Sequence, residues 1–247
     1  DISEPAEGYT DTDIGYYLEL DNYATSDEDN HYISMDYENA TVTDINGETR
    51  QFVPAEYSIK NDLYSQNQID FIDKYLNNLF KIVYEACENG KYYKFDENYD
   101  LVDSDVTTAE EAVSNVMDIE SVRDMYILYE IVHDYDCGEG SFYMCVDLSK
   151  DSKCPKLKFT SPWNFNWAYN DSTEKYYAGA FTDKNFVAKN GDRSNPWFII
   201  LCKQDWFMDA VKEKWTEMSK EKLLQGCIKT EREYLKEYDA DLRKGEE

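Results

Sequence analysis

The apolar residues of this 247-residue chain change their period after about residue 60, and that change constrains the fold more than any other feature. Up to about residue 60 they alternate. Ile14, Tyr16, Leu18 and Leu20 fall on every second position, as in a half-buried strand. Asn46-Gly47, between residues 41–45 and 48–53, predicts a two-residue hairpin turn. From residue 69 the spacing becomes three and four. Ile69, Ile72, Leu76, Leu79, Val83 and Ala86 share one face of a long helix. Ser65 with Gln68 predicts a capping box at its start, and Gly90 its end. Strands that give way to helices predict an α+β fold.

Further along, the acidic stretches 26–30 and 91–108 read as solvated connections, the second holding short elements. A second helix is expected from near Asp118, carrying Ile119, Val122, Tyr126, Tyr129 and Val132. Residues 141–146 and 156–159 read as a hairpin that leads to an aromatic segment around Trp163. A variable loop is expected over residues 171–193. Asn195-Pro196 predicts an N-cap with proline in the first turn. A helix capped by Asp205 is expected over 206–218. Leu224, Ile228, Leu235, Tyr238 and Leu242 mark a last helix with a frayed, charged end. No internal repeat or low-complexity linker divides the chain, which reads as a single domain over residues 1–247.

Charge excludes some functions. The formal charge is −27, from 52 acidic and 25 basic residues. Nucleic-acid binding needs clusters of Lys and Arg, so that class is set aside. Anionic membrane surfaces are disfavoured too. No apolar run is long enough to span a bilayer and no signal-peptide pattern is read, so no membrane insertion is expected. A start at Asp1 suits a mature or trimmed secreted protein. The 22 tyrosines and five tryptophans suit protein or glycan contacts as well as half-buried packing. Six cysteines without a C-x-x-C do not make a disulfide scaffold or a zinc ribbon. Cys145 and Cys154 flank the expected hairpin turn and could form a disulfide in an extracellular protein.

Seven segments carry a resemblance, in order along the chain. They are Gly15-Tyr16-Tyr17-Leu18-Glu19-Leu20-Asp21, Tyr57-Ser58-Ile59-Lys60, Glu130-Ile131-Val132-His133-Asp134-Tyr135-Asp136 and Ser141-Phe142-Tyr143-Met144. Then come Ser161-Pro162-Trp163-Asn164-Phe165-Asn166-Trp167-Ala168-Tyr169, Asn195-Pro196-Trp197-Phe198 and Lys212-Glu213-Lys214-Trp215. Together they resemble the spore coat protein H (CotH) kinase family. The fifth segment is similar to the family's metal-binding G-P-x-W-D-F-D-x-A.

The resemblance implies an atypical protein-kinase-like fold. Strands and hairpins of a β-rich part (1–60) precede a mainly helical lobe (61–247) that holds the hairpin at about 141–160. It also implies transfer of the ATP γ-phosphate to serine on extracellular or coat proteins, with Mg²⁺ and ATP as cofactors. By position, Asp136 is the vestigial catalytic candidate. Asn164 and Asp136 stand at metal positions, and Asn164, Asn166 and Lys60 at cofactor-binding ones. The chain departs from the family in three ways. It resembles only the C-terminal two-thirds of the family domain and lacks most of its N-terminal lobe. Asparagine replaces both signature aspartates, and an amide lacks the charge with which a carboxylate holds a hard cation. Glu139 stands where many members carry arginine.

These departures give the expectation of a secreted or cell-surface pseudokinase, or protein-binding module, needing no cofactor and engaging an extracellular or cell-surface protein. The alternatives are an active kinase with Asp136 as its surviving carboxylate, and an adhesin-like surface protein. Other chemistries find less support. His31 and His133 are the only histidines, too few for a three-His metal site, and no nucleophile elbow or Gly-rich phosphate loop is present. Asp96-x-Asn98-x-Asp100 starts like a calcium loop but lacks the Gly and Glu of an EF-hand. Incidental Ca²⁺ there, or at Asp27–Asp29, is the most that pattern allows. Trp163, Phe165 and Trp167 are expected to pack rather than to stack on a ligand.

Overall fold

A computed structural model describes residues 5–26, 31–35, 37, 40–43, 49–51, 54–132, 134, 136–166 and 195–242. For residues 42, 50, 136 and 239–242 it describes the backbone alone. The fold is α+β, built around an antiparallel five-stranded sheet in the order β2-β5-β1-β8-β9. Its strands are β1 (Gly15–Leu20), β2 (Tyr32–Met35), β5 (Ala55–Ile59), β8 (Phe142–Asp147) and β9 (Lys158–Thr160). The central strand β1 therefore pairs with β5 on one side and with the later hairpin on the other. The β-rich start of the chain and the hairpin near residue 150 share one sheet.

Strand alternation divides the residues between two faces. Ile33, Tyr57, Leu18, Leu20, Phe142, Met144 and Phe159 point to one face and are all buried. Tyr17, Glu19, Ser58, Tyr143, Lys158 and Thr160 take the other. Helix α1 (Gln66–Tyr84) packs on β2, and α3 (Ile119–Val132) on β9. The short α4 (Phe198–Leu201) brings Phe198 edge-on to Phe142 and Phe159. Trp197 beside it is fully buried, its Nε1 donating to the Tyr57 hydroxyl at 2.9 Å.

Helix α1 starts as its sequence predicts. The Ser65 hydroxyl accepts from the Gln68 amide, and the Gln68 side chain accepts from Ser65 N. One wide π-type turn (Glu85–Asn89) follows, and Gly90 ends it in the left-handed conformation at φ 62°. The hairpin β3 (Thr41–Thr43) and β4 (Thr49–Gln51) pairs as expected, while its Asn46-Gly47 turn lies outside the described residues. The stretch 91–108 holds a second hairpin, β6 (Tyr93–Phe95) and β7 (Leu101–Asp103). Asp96 uses one carboxylate oxygen to accept from Asn98 N and Asp100 N across its turn, at the start of the calcium-like pattern.

Three readings need correction. Helix α2 (Ala109–Val116) stands where no element is expected, with Thr108 capping it through Glu111 N. Helix α5 (Asp205–Glu221) begins one residue earlier than expected, so Asp205 lies in its first turn and Gln204 takes the cap position without a side-chain bond. A cap needs non-helical backbone before the first turn, and Gln204 supplies it. Trp163 does not pack: it is 65% exposed. Phe165 does pack, with its ring 5.6 Å from that of Tyr129. The last helix, α6 (Leu223–Leu242), follows α5 directly. The expected loop 171–193 and Trp167 lie outside the described residues, as do residues 27–29.

Candidate functional site

The site candidates gather where β1 leaves the sheet and β8 enters it. Asn22, just past β1, ties this end together. Its side-chain nitrogen donates to Gly138 O, its backbone N–H to Glu139 O, and its side-chain oxygen accepts from Glu56 N. The single turn Asp136–Gly138 follows α3 here. Cys137 O accepts from the buried Asn195 side chain at 2.9 Å. The backbone of Asp136 is thus held between the exit of β1 and the start of α4. Its side chain, like the whole of His133, lies outside the described residues.

Asn164 stands beside this turn. Its amide nitrogen donates to the Ser141 hydroxyl at 3.1 Å. Ser141, Ser161 and Asn164 all adopt left-handed backbone, at φ 55°, 49° and 57°. Asparagine tolerates that region, but serine does so at a cost of roughly 1–2 kcal/mol. Such outliers concentrate at functional turns. Asn166 is exposed two residues on, and Trp163 projects beside Asn164.

Lys60 lies further along the sheet. Its backbone N–H donates to Tyr17 O, three residues before the end of β1, or roughly 10 Å along the strand. Its ammonium reaches back to Glu19 at 2.5 Å. Glu19 is nearly buried and faces Tyr143 across the β1–β8 pairing. Burial, then the Glu19 carboxylate, pushes the Tyr143 phenol above its usual range. Tyr17 stacks on Tyr143 at 5.4 Å. Ser58, opposite Glu19 on β5, is fully buried, and its hydroxyl has no partner among the described residues.

The structure thus brings the Asp136 backbone and the Asn164 side chain to one end of the sheet. It places Asn166 in solvent and Lys60 in an ion pair along the same face. Sequence reasoning missed Glu19, Tyr143 and Ser141. The signal for Glu19 was a charged residue at an outward position of a strand otherwise rich in buried residues. On this face Glu19 and Glu56 stand at outward strand positions, with Lys60 paired to Glu19 and Lys158 on the edge strand β9. Among the described residues no group of three or more His, Cys, Asp or Glu could hold a metal ion. No described helix is long and apolar enough to cross a membrane.

The six cysteines are free thiols. Cys145 and Cys154 line one hollow of about 400 Å³ with Asp147, Asp151, Lys153 and Lys158, without a bond between them. Burial raises the Cys145 thiol above its usual range and pushes that of Cys87 up to about 12. Comparison with models of known protein families, with curated proteins and with solved structures found no match in any of the three.

Proposed function

We propose that this chain is a CotH-like protein-binding module, secreted or displayed at the cell surface, that has lost phosphoryl transfer. The observation that carries the reading is Asn164. By the sequence resemblance it stands where the family has its metal-binding aspartate, and its neutral amide donates to the Ser141 hydroxyl. Phosphoryl transfer depends on metal and cationic groups to neutralise developing charge. Here Lys60 is already paired with Glu19. Beside Asn164, Trp163 offers the large exposed aromatic surface that anchors protein contacts.

One observation favours the kinase alternative. Kinase sites hold their phosphate-binding lysine through a glutamate, and the Lys60–Glu19 pair has that form. Calorimetric titration with ATP and Mg²⁺ or Mn²⁺ separates the two readings. The native chain is expected to give no saturable heat. The Asn164→Asp/Asn166→Asp variant tests for a pocket that lost only its charge. Saturable binding by the native chain, abolished by Lys60→Met, would overturn the pseudokinase reading.

A further inference from the structure

Helix α6 is twenty residues long and follows α5 directly, and no described side chain on it is buried. It is not polar all round. Leu224, Ile228, Leu235 and Tyr238 follow the four-three spacing of a heptad seam, interrupted only by Glu231. Ile228 and Leu235 are each more than half exposed, and Tyr238 is 49% exposed. In proteins, tertiary burial of an apolar stripe rather than propensity is what stabilises most helices. The stripe therefore lacks its counterpart within the described fold.

Charge identifies the counterpart. Residues 1–202 hold 40 of the 52 acidic residues but 15 of the 25 basic ones. Residues 203–247 hold 12 and 10, so this end is close to neutral. Two copies of the chain repel each other over most of their surface and least along α5 and α6. The alternating signs beside the seam (Lys229, Arg232 and Lys236 among Glu231, Glu233 and Glu237) suit another helix of the same kind. A uniformly charged partner would meet like charges somewhere along it.

We propose that α6 is a homodimerisation helix that pairs antiparallel with α6 of a second copy. The net charge selects the orientation. Each acidic body joins α6 at its N-terminal end. Parallel pairing would set the two bodies side by side. Antiparallel pairing puts a helix of about 30 Å between them, well beyond the screening length of about 8 Å at physiological salt. In the register that aligns the seams, Ile228 of each copy meets Tyr238 of the other, and Glu231 lies across from Leu235. A carboxylate in the seam weakens the pair and fixes its register.

Sedimentation equilibrium of the full chain in 150 mM NaCl tests this, over 5–200 µM. The expected result is a reversible dimer, lost in Ile228→Asp/Leu235→Asp while near-ultraviolet circular dichroism stays unchanged. Cysteine oxidation then tests orientation. In an antiparallel pair the two Cys227 thiols lie at opposite ends, so the native chain forms no Cys227–Cys227 dimer. Asp241→Cys creates a dimer that Cys227→Ser removes. A native chain that stays monomeric at 200 µM overturns the proposal, as does a dimer that survives the double substitution. A native Cys227–Cys227 cross-link overturns the orientation.

Discussion

Asn195 shows how much one side chain can fasten. It is fully buried, and both its side-chain polar atoms and its carbonyl are engaged. The side-chain oxygen accepts from Trp197 N and Phe198 N, the side-chain nitrogen donates to Cys137 O, and the carbonyl accepts from Ile199 N. It tethers the start of α4, where Trp197 and not Asn195 takes the cap position and Pro196 precedes the helix, and it holds the turn bearing Asp136 against the core. Asn195→Ala removes the side-chain acceptor of two buried amides and a donor to the Cys137 carbonyl. Unmade buried bonds cost about 1–3 kcal/mol each, and partial relaxation brings the expected total to about 3 kcal/mol. Tyr57→Phe removes only the acceptor for Trp197 Nε1 and should cost about 1–2 kcal/mol. Urea midpoints compare the two, and equal losses would mean that Asn195 does no more than fill space. That a helix starts near the Asn-Pro pair could be read in the sequence, but not that Trp197 takes its cap position. The bond of Asn195 to residue 137 could not be read, because a contact across 58 residues depends on how the chain folds back. The same holds for the Lys60–Glu19 pair and for the left-handed serines, where no glycine marks the turn.

Among the elements, length and periodicity decided what could be read in advance. Helix α1 shows both a capping box and a stripe of buried residues, and the structure keeps both. The hairpin of β8 and β9 was visible as alternation, but its place beside β1 was not, since pairing partners leave no mark in a single strand's pattern. Helix α2 was overlooked because eight residues span barely two turns, too few for a period to emerge. Its cap was nevertheless written in Thr108-x-x-Glu111. The Thr108 hydroxyl accepts from Glu111 N, and the Glu111 carboxylate accepts from Thr107 N. For so short a helix the cap matters more than propensity. Thr108→Ala should cost about 1 kcal/mol and Thr108→Ser much less. Hydrogen exchange adds a local readout: amides of 112–116 should lose protection in Thr108→Ala before those of α1. If protection in α2 does not change, its anchor is instead the bridge between Met117 and Leu157 at its far end.

At the scale of the whole molecule the excess of acid sets how stability responds to solution conditions. Two opposing effects depend on salt. Screening weakens ion pairs such as Lys74–Asp100 and Lys94–Asp105, and it also weakens the repulsion among unpaired carboxylates. Exposed pairs contribute only about 0–1 kcal/mol each. With 52 acidic residues against 25 basic ones, most carboxylates have no cation to pair with, so repulsion is the stronger of the two. Raising NaCl from 10 to 150 mM shortens the screening length from about 30 to about 8 Å and should raise Tm by several degrees. Mild acidification acts in the same direction. Burial, then Asp70, raises the Asp73 carboxyl above 3.8 in the folded chain. The folded state therefore binds this proton more readily than the unfolded state does. Between that raised value and 3.8, falling pH favours folding through Asp73. Asp13 and Asp105 are shifted the other way, Asp13 by Tyr9 and Lys150, Asp105 by Lys94. Their stabilisation persists above 3.8 and is lost only as pH falls through their lowered values. Thermal unfolding at matched ionic strength should thus show greatest stability on the acid side of neutrality, above the range where Asp13 and Asp105 take up protons. A Tm that falls with added salt, or that peaks above pH 7, would mean that the ion pairs outweigh the repulsion.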